Sequence, residues 1–212
     1  MANMQRQSAV AFQARSVETV TRGRWTVVLR YADEGQGPYL VDLSHQPRWD
    51  VQDSDLSRFA PGGVSVPETA GGCALHDGVL INRMNRTQAA VWHLNATPPP
   101  MPAESAYTDI TAGGVFLALF GAHTFDITEK LTSLDFQDPR KQPPFLVQGP
   151  FCRVPCQIVV LEKDADGGGI LLTCSRGYAR SMLDALLDAG SAFTLRPAGE
   201  ARFANWLAKM NG

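Results

Sequence analysis

An α+β fold made of two similar halves is predicted by three observations. Apolar stretches of strand length alternate with turn-forming clusters, and only a few segments carry helical spacing. A turn of the form Asp-x-Ser/Thr, Asp42-Leu43-Ser44, recurs as Asp109-Ile110-Thr111. With 212 residues, 44% of them hydrophobic, the chain can bury one large core or two small ones packed together.

Residues 1–20 lack a clear pattern and read as a loose arm, leaving 21–97 and 98–212 as the two halves. Trp25, Val27, Leu29 and Tyr31 alternate with Thr26, Val28 and Arg30, as a half-buried strand should. Gly35-Gln36-Gly37-Pro38 turns the chain into Tyr39 to Leu43, so these two strands read as a hairpin. Trp49-Asp50-Val51 then leads toward a helix containing Leu56 and Phe59. Residues 61–72 are rich in Gly and Pro and read as loop. Gly78 to Arg83 is a short strand, and Asn85-Arg86-Thr87-Gln88 has the form of a helix start, the helix running through Val91 and Leu94. Asn95 to Pro102 holds four prolines and marks the internal boundary.

In the second half, Tyr107 to Thr111 and Val115 to Phe120 read as strands around Ala112-Gly113-Gly114. A helix follows with Phe125, Thr128 and Leu131 on one face, then loop from Pro139 to Pro144. Gln157 to Glu162 and Gly169 to Thr173 form a strand pair around a Gly/Asp-rich turn at 163–168. Ser175 caps a helix with Ala179, Met182, Leu183, Leu186 and Leu187 on its apolar face, and Asp188-Ala189-Gly190 stops it. Strand, polar break and helix thus recur at Leu80 to Leu94 and at Leu171 to Leu187, the mark of two related β-α-β units.

A formal charge of -2 with scattered basic residues gives no footprint for nucleic acid. Apolar runs such as Val115 to Phe120 fall far below the roughly 20 residues of a membrane span. Met1 to Gln7 carries no apolar leader core, so the expected compartment is the cytoplasm. Cys73, Cys152, Cys156 and Cys174 are too few and too irregularly spaced for a disulfide scaffold, and with four dispersed His they form no zinc pattern, so they read as free, partly buried thiols. No metal is expected.

The nucleophile elbow, the phosphate loop and a dinucleotide fingerprint are all absent, and Gly167-Gly168-Gly169 joins two strands without opening a helix. Asp42, Ser44 and His45 hold the residue types of a nucleophilic triad. Neighbours in sequence point apart, however, so Asp42 and Ser44 are read as bonding the local backbone, and Asp109 and Thr111 likewise. Arg153 and Arg176 have no second cation near them in sequence and read as surface. Trp49, Trp92 and Trp206 read as core or interface. No complete catalytic constellation is present.

Read continuously, the second half resembles the aminomethyltransferase family, that is, the glycine-cleavage T-protein and the folate-binding domains of sarcosine and dimethylglycine oxidoreductases. The residues are Asp109-Ile110-Thr111, Ala118-Leu119-Phe120-Gly121-Ala122, Leu131-Thr132-Ser133-Leu134-Asp135, Tyr178-Ala179, Leu183 to Gly190, Leu195-Arg196-Pro197-Ala198-Gly199 and Ala201-Arg202. They cover residues 106–207; the first half joins mainly through Asp42-Leu43-Ser44. The resemblance implies two ferredoxin-like halves packed together, tetrahydrofolate as ligand, and Asp109, Ser175 and Arg202 as ligand-binding candidates.

The sequence departs from the family at its acidic positions. Residues 60–85 hold no counterpart of the Gly-Gly-x-x-Asp-Asp segment. Leu171 stands where the family has a pterin-holding Glu, and Trp206 where it has an Arg. In its short form the chain looks most like the gamma subunit of heterotetrameric sarcosine oxidase. That implies a non-catalytic subunit of one-carbon or methylamine metabolism, partnered by flavoprotein oxidoreductase subunits. The alternative is a stand-alone tetrahydrofolate-dependent aminomethyltransferase.

Overall fold

Two β-sheets packed face to face carry the structure, a computed structural model describing residues 5–164 and 167–210. The first part of the chain supplies β1 (Ser16–Arg22), β2 (Trp25–Tyr31), β3 (Tyr39–Asp42), β4 (Arg48–Gln52), β5 (Cys73–His76), β6 (Val79–Arg83) and β7 (Gln88–His93). The second supplies β8 (Tyr107–Asp109), β9 (Gly114–Gly121), α1 (Thr124–Glu129), β10 (Phe145–Phe151), β11 (Val154–Lys163), β12 (Gly168–Ser175), α2 (Ala179–Gly190), β13 (Arg196–Ala198) and α3 (Glu200–Met210).

One sheet has the order β5-β6-β7-β4-β8, the other β10-β11-β12-β9-β3-β13, and β1 and β2 form a separate ribbon. Matching β4 with β9 and β8 with β3 makes the first five strands of each sheet correspond one for one. The α+β class and the internal repeat expected from the sequence are therefore present, with an added feature: each half lends one strand to the other half's sheet. β3 pairs antiparallel with β9, and β8 pairs antiparallel with β4.

The Asp-x-Ser/Thr turns make this exchange. Asp42 Oδ1 accepts the Ser44 N–H and Asp109 Oδ1 accepts the Thr111 N–H, each at 2.9 Å. The hydroxyls then reach across: Ser44 Oγ accepts the Phe116 N–H at 3.1 Å, and Thr111 Oγ1 accepts the Arg48 N–H at 3.0 Å. Beside them Leu43 N–H donates to Phe116 O at 2.8 Å and Ile110 N–H to Arg48 O at 2.9 Å. The local backbone role expected of Asp42 and Asp109 is what they perform, whereas the hydroxyls bond the opposite half.

Alternation along β9 builds the layers. Val115, Leu117 and Leu119 enter a core with α1 and α2 residues such as Ile127, Met182 and Leu186, while Phe116, Ala118 and Phe120 face the inter-sheet core with Trp92, Leu80 and Leu171. α3 closes one side of the inter-sheet layer through Phe203 and Leu207. The outer face of the five-stranded sheet is covered by irregular chain carrying Leu56, Phe59 and Val66.

Several expected elements differ. The arm assigned to residues 1–20 includes most of β1, and Val10 is buried, because β2 offers β1 an antiparallel partner from Ser16 to Arg22. β2 pairs with β1 and not with β3, so the expected hairpin between them does not form. The helix expected from Asn85 is a turn followed by β7: Asn85 Oδ1 accepts the Thr87 N–H at 2.9 Å, and β7 is buried on both faces between β6 and β4. Around Leu56 there is one 3-10 turn, Leu56–Arg58. Among the described residues no α-helix precedes Thr124. Ser175 makes no capping bond; a 3-10 turn, Arg176–Tyr178, intervenes before α2. Of the Gly/Asp-rich turn at 163–168, Ala165 and Asp166 lie outside the described residues.

Candidate functional site

A cleft of about 680 Å³ opens where the turn before β9, the β10–β11 ladder and the end of β12 meet. Arg48 and Gln157 line it together with Thr173, Cys156, Cys174 and Ser175. Arg48 begins β4 and is 1% exposed. Its Nη1 donates to Val115 O at 3.0 Å and Thr173 Oγ1 at 2.7 Å, its Nη2 to Thr111 O at 2.7 Å and Gly114 O at 2.8 Å. The guanidinium lies over the Phe116 ring at 5.2 Å. Burial pulls Arg48 down from 12.5 to about 10, a shift opposed by the fields of Asp42 and Asp109, so it is still a cation at neutral pH.

Every partner of that cation is neutral, and among the described residues it has no ion-pair partner. Among the described residues, its Nε and the Oε1 of Gln157 are buried without a hydrogen-bond partner. These two groups put unpartnered polar atoms at the cleft wall. The arrangement can hold an anionic or amide-bearing group through one fixed cation and two amide side chains, Gln148 and Gln157.

A second polar cluster surrounds Glu200, at the start of α3 and 5% exposed. Its Oε1 accepts from Arg22, from Gln46 Nε2 at 2.7 Å and sits 2.9 Å from His45 Nε2. Burial pushes the Glu200 carboxyl up, but the bonds from His45 and Arg22 outweigh it and leave the group below its ordinary value. His45 stands between cavities of about 280 and 360 Å³. This cluster ties the β1–β2 ribbon and α3 to the turn after β3.

The three residues singled out from sequence are not brought together. Ser175 lines the large cleft. Asp109 lines the 360 Å³ cavity, and its Oδ1 is engaged by Thr111. Arg202 lies on α3, 3.3 Å from Glu34 and over the Tyr39 ring at 4.9 Å. Arg48 and Glu200 went unnoticed in the sequence, where each is an isolated charge with no motif; the only trace is that Arg48 opens a strand otherwise bound for the core. Among the described residues no group of three His, Cys, Asp or Glu could hold a metal ion, and no helix is long and apolar enough to cross a membrane.

No protein-family model matches the chain, and no curated protein matches it in sequence. Solved structures do. A chain of the heterotetrameric sarcosine oxidase from Corynebacterium sp. U-96 superposes with a TM-score of 0.60 and 14% identity, over 77% of this chain and 88% of that one. The glycine cleavage system aminomethyltransferase T from Bartonella henselae gives 0.58 and 13%, over 87% of this chain and 56% of that one. At such identities the likeness is one of fold.

Proposed function

From that shared fold we propose that the chain is a non-catalytic subunit of one-carbon or methylamine metabolism, working in the cytoplasm beside flavoprotein oxidoreductase subunits. The observation that carries this reading is the state of two positions. Where the resemblance sets a pterin-holding glutamate, Leu171 is wholly buried in the inter-sheet core. Where it sets an arginine, Trp206 stacks on Phe120, with centroids 4.7 Å apart and planes at 18°, and donates from Nε1 to Glu162 at 2.9 Å. The indole also lies against Gly169, where a Cβ would come within 2.1 Å of the ring.

These residues do not fit a pterin. A methyl-bearing side chain and an internally bonded indole leave neither a carboxylate nor a guanidinium free for a hydrogen-bonding ligand there, which is the loss that most reduces affinity for such a ligand. No transfer step is derived for this chain. The sarcosine oxidase it resembles is heterotetrameric, and a subunit role is in keeping with that assembly.

One observation favours the alternative, a stand-alone tetrahydrofolate-dependent aminomethyltransferase: the Arg48 cleft has the volume of a small-molecule site, typically about 300–1,000 Å³. Calorimetric titration with folinic acid, together with an aminomethyl-transfer assay on the isolated chain, separates the two. No saturable heat and no transfer are expected, with stoichiometric co-purification on co-expression with its flavoprotein partner. Transfer at enzyme-like rates by the chain alone would sink the subunit reading.

A further inference from the structure

Most strand edges in this protein are short, interrupted or covered. β8 and β13 run for three residues each, and β13 contains Pro197. β5 has four residues. β10 carries Pro150 and is met from outside, where Phe145 bridges to Gly72 and Leu146 N–H donates to Gly71 O at 2.9 Å. On the inner side of the ribbon, β2 is bridged by Arg6 at Trp25 and packed by α3. Short length, proline and a covering segment are the ordinary means of keeping an edge from pairing with another chain.

β1 has none of these protections. It is seven residues long, Ser-Val-Glu-Thr-Val-Thr-Arg, with neither proline nor lysine. Among the described residues its only strand partner is β2, and its outer edge makes no backbone hydrogen bond. Ser16 to Thr19 and Thr21 are exposed, Val17 to 49%, although Val17, Thr19, Val20 and Thr21 are the β-branched types that favour a packed strand. A two-stranded ribbon is marginal in water, and a further strand is what completes one.

The strand is self-complementary in one register. Turned antiparallel against a copy of itself about Val20, it sets Val20 opposite Val20, Thr19 opposite Thr21, and Glu18 of each copy opposite Arg22 of the other. Opposite charges and Thr pairs facing each other across strands both stabilise the pairing. Centring on Thr19 instead sets Glu18 against Val20, and centring on Thr21 runs Thr19 into the left-handed turn at Gly23. The irregularities of β1 lie between Ser16 and Thr19, leaving Thr19 to Arg22 regular. Glu18 pairs with Arg30 and Arg22 with Glu200 in the single chain, yet both side chains stay partly exposed and present further polar atoms outward.

We propose that β1 is a self-association edge, through which two copies of this chain join antiparallel into a β2-β1-β1-β2 sheet about a two-fold axis at Val20. The charge and side-chain complementarity of that register selects a second copy as the occupant, whether or not the chain also serves a larger assembly. One strand pair is a small interface, so the dimer is reversible, with a dissociation constant of roughly 1–100 µM.

Sedimentation velocity of the wild-type chain across that range is expected to show monomer giving way to dimer. Glu18→Arg sets two guanidinium groups opposite each other and is expected to weaken the dimer by roughly tenfold or more, with the melting temperature of the monomer unchanged. Cysteine scanning reads the register. Residues directly opposite in an antiparallel pair have Cα atoms about 4.5 or 5.5 Å apart, inside the roughly 4.4–6.8 Å that a disulfide spans. Under mild oxidation, Val20→Cys is expected to give a dimer that peptide mapping shows to be linked through residue 20. Thr19→Cys and Thr21→Cys, whose two copies fall two positions out of register, are expected to stay unlinked. A wild-type monomer at every concentration, a dimer that Glu18→Arg leaves intact, or preferential linkage at position 19 or 21 overturns the proposal.

Discussion

His93 shows what a single buried polar atom does to this molecule. Its ring packs 4.2 Å from that of Trp49, it is 1% exposed, and among the described residues its Nε2 has no hydrogen-bond partner. Burial pulls it down from 6.5 to about 4. Between those values the unfolded chain holds a proton that the folded chain refuses, so the unfolded state gains on acidification. Stability is fully present above pH 6.5 and falls as the pH drops toward 4, by about 3 kcal/mol if the whole shift is realised. Urea titrations across that range are expected to show this slope in wild type and to lose it in His93→Leu. Arg48 makes a second prediction at the same scale. Arg48→Met strands the carbonyls of Thr111 and Gly114, and the urea midpoint should fall by the equivalent of roughly 3 kcal/mol. Arg48→Lys recovers only part, since an ammonium lacks the planar fork. Neither role could be read from sequence, because the acceptors of Arg48 lie between 63 and 125 positions away.

Among elements, the Asx turns decide whether Asp109 is a ligand residue or a hinge between halves. An amide oxygen can accept the Thr111 N–H as a carboxylate does, so Asp109→Asn is expected to melt close to wild type and Asp109→Ala to lose about 1 kcal/mol in thermal unfolding. A large stability loss in Asp109→Asn would show that the charge matters and reopen the ligand role. Gly199 makes a sharper test. A Cβ there would lie 2.2 Å from Leu29 O, a backbone atom that cannot yield, so Gly199→Ala should part α3 from the β1–β2 ribbon. The overpacking cost is about 1–3 kcal/mol or more, and faster amide exchange confined to the ribbon and α3 would report it. Elements were legible where one face met solvent: the alternation of Trp25 to Tyr31 and the apolar face of α2 needed no tertiary knowledge. β7 was misread because both of its faces are buried, which erases the period-two signal, and because Asn85 and Gln88 imitate a helix cap while closing a hairpin turn. The repeat was visible in two short turns, but the exchange of strands was not, since a turn's sequence does not say which sheet follows it.

At the scale of the whole molecule the 97/98 division is one of sequence, and the strand exchange ties its two sides together. Residues 98–212 alone lack β3 and so leave β9 and β13 without the strand between them, and residues 1–97 alone lack β8 at the edge of β4. Each fragment also exposes its side of the inter-sheet core. Separately expressed fragments are therefore expected to be aggregated or without near-UV circular dichroism, and mixing them from denaturant should restore a folded one-to-one pair. Either fragment folding alone as a stable monomer would show that the exchange is dispensable. The parallel pairing of β13 with β3 joins positions Arg196 and Tyr39, about three quarters of the chain apart. A ribosome delivers roughly 5–20 residues each second, so β3 waits many seconds with one edge bare before its last neighbour emerges. During synthesis the nascent chain thus carries a strand it cannot yet close, and it is in that interval that a trigger-type chaperone would find its substrate.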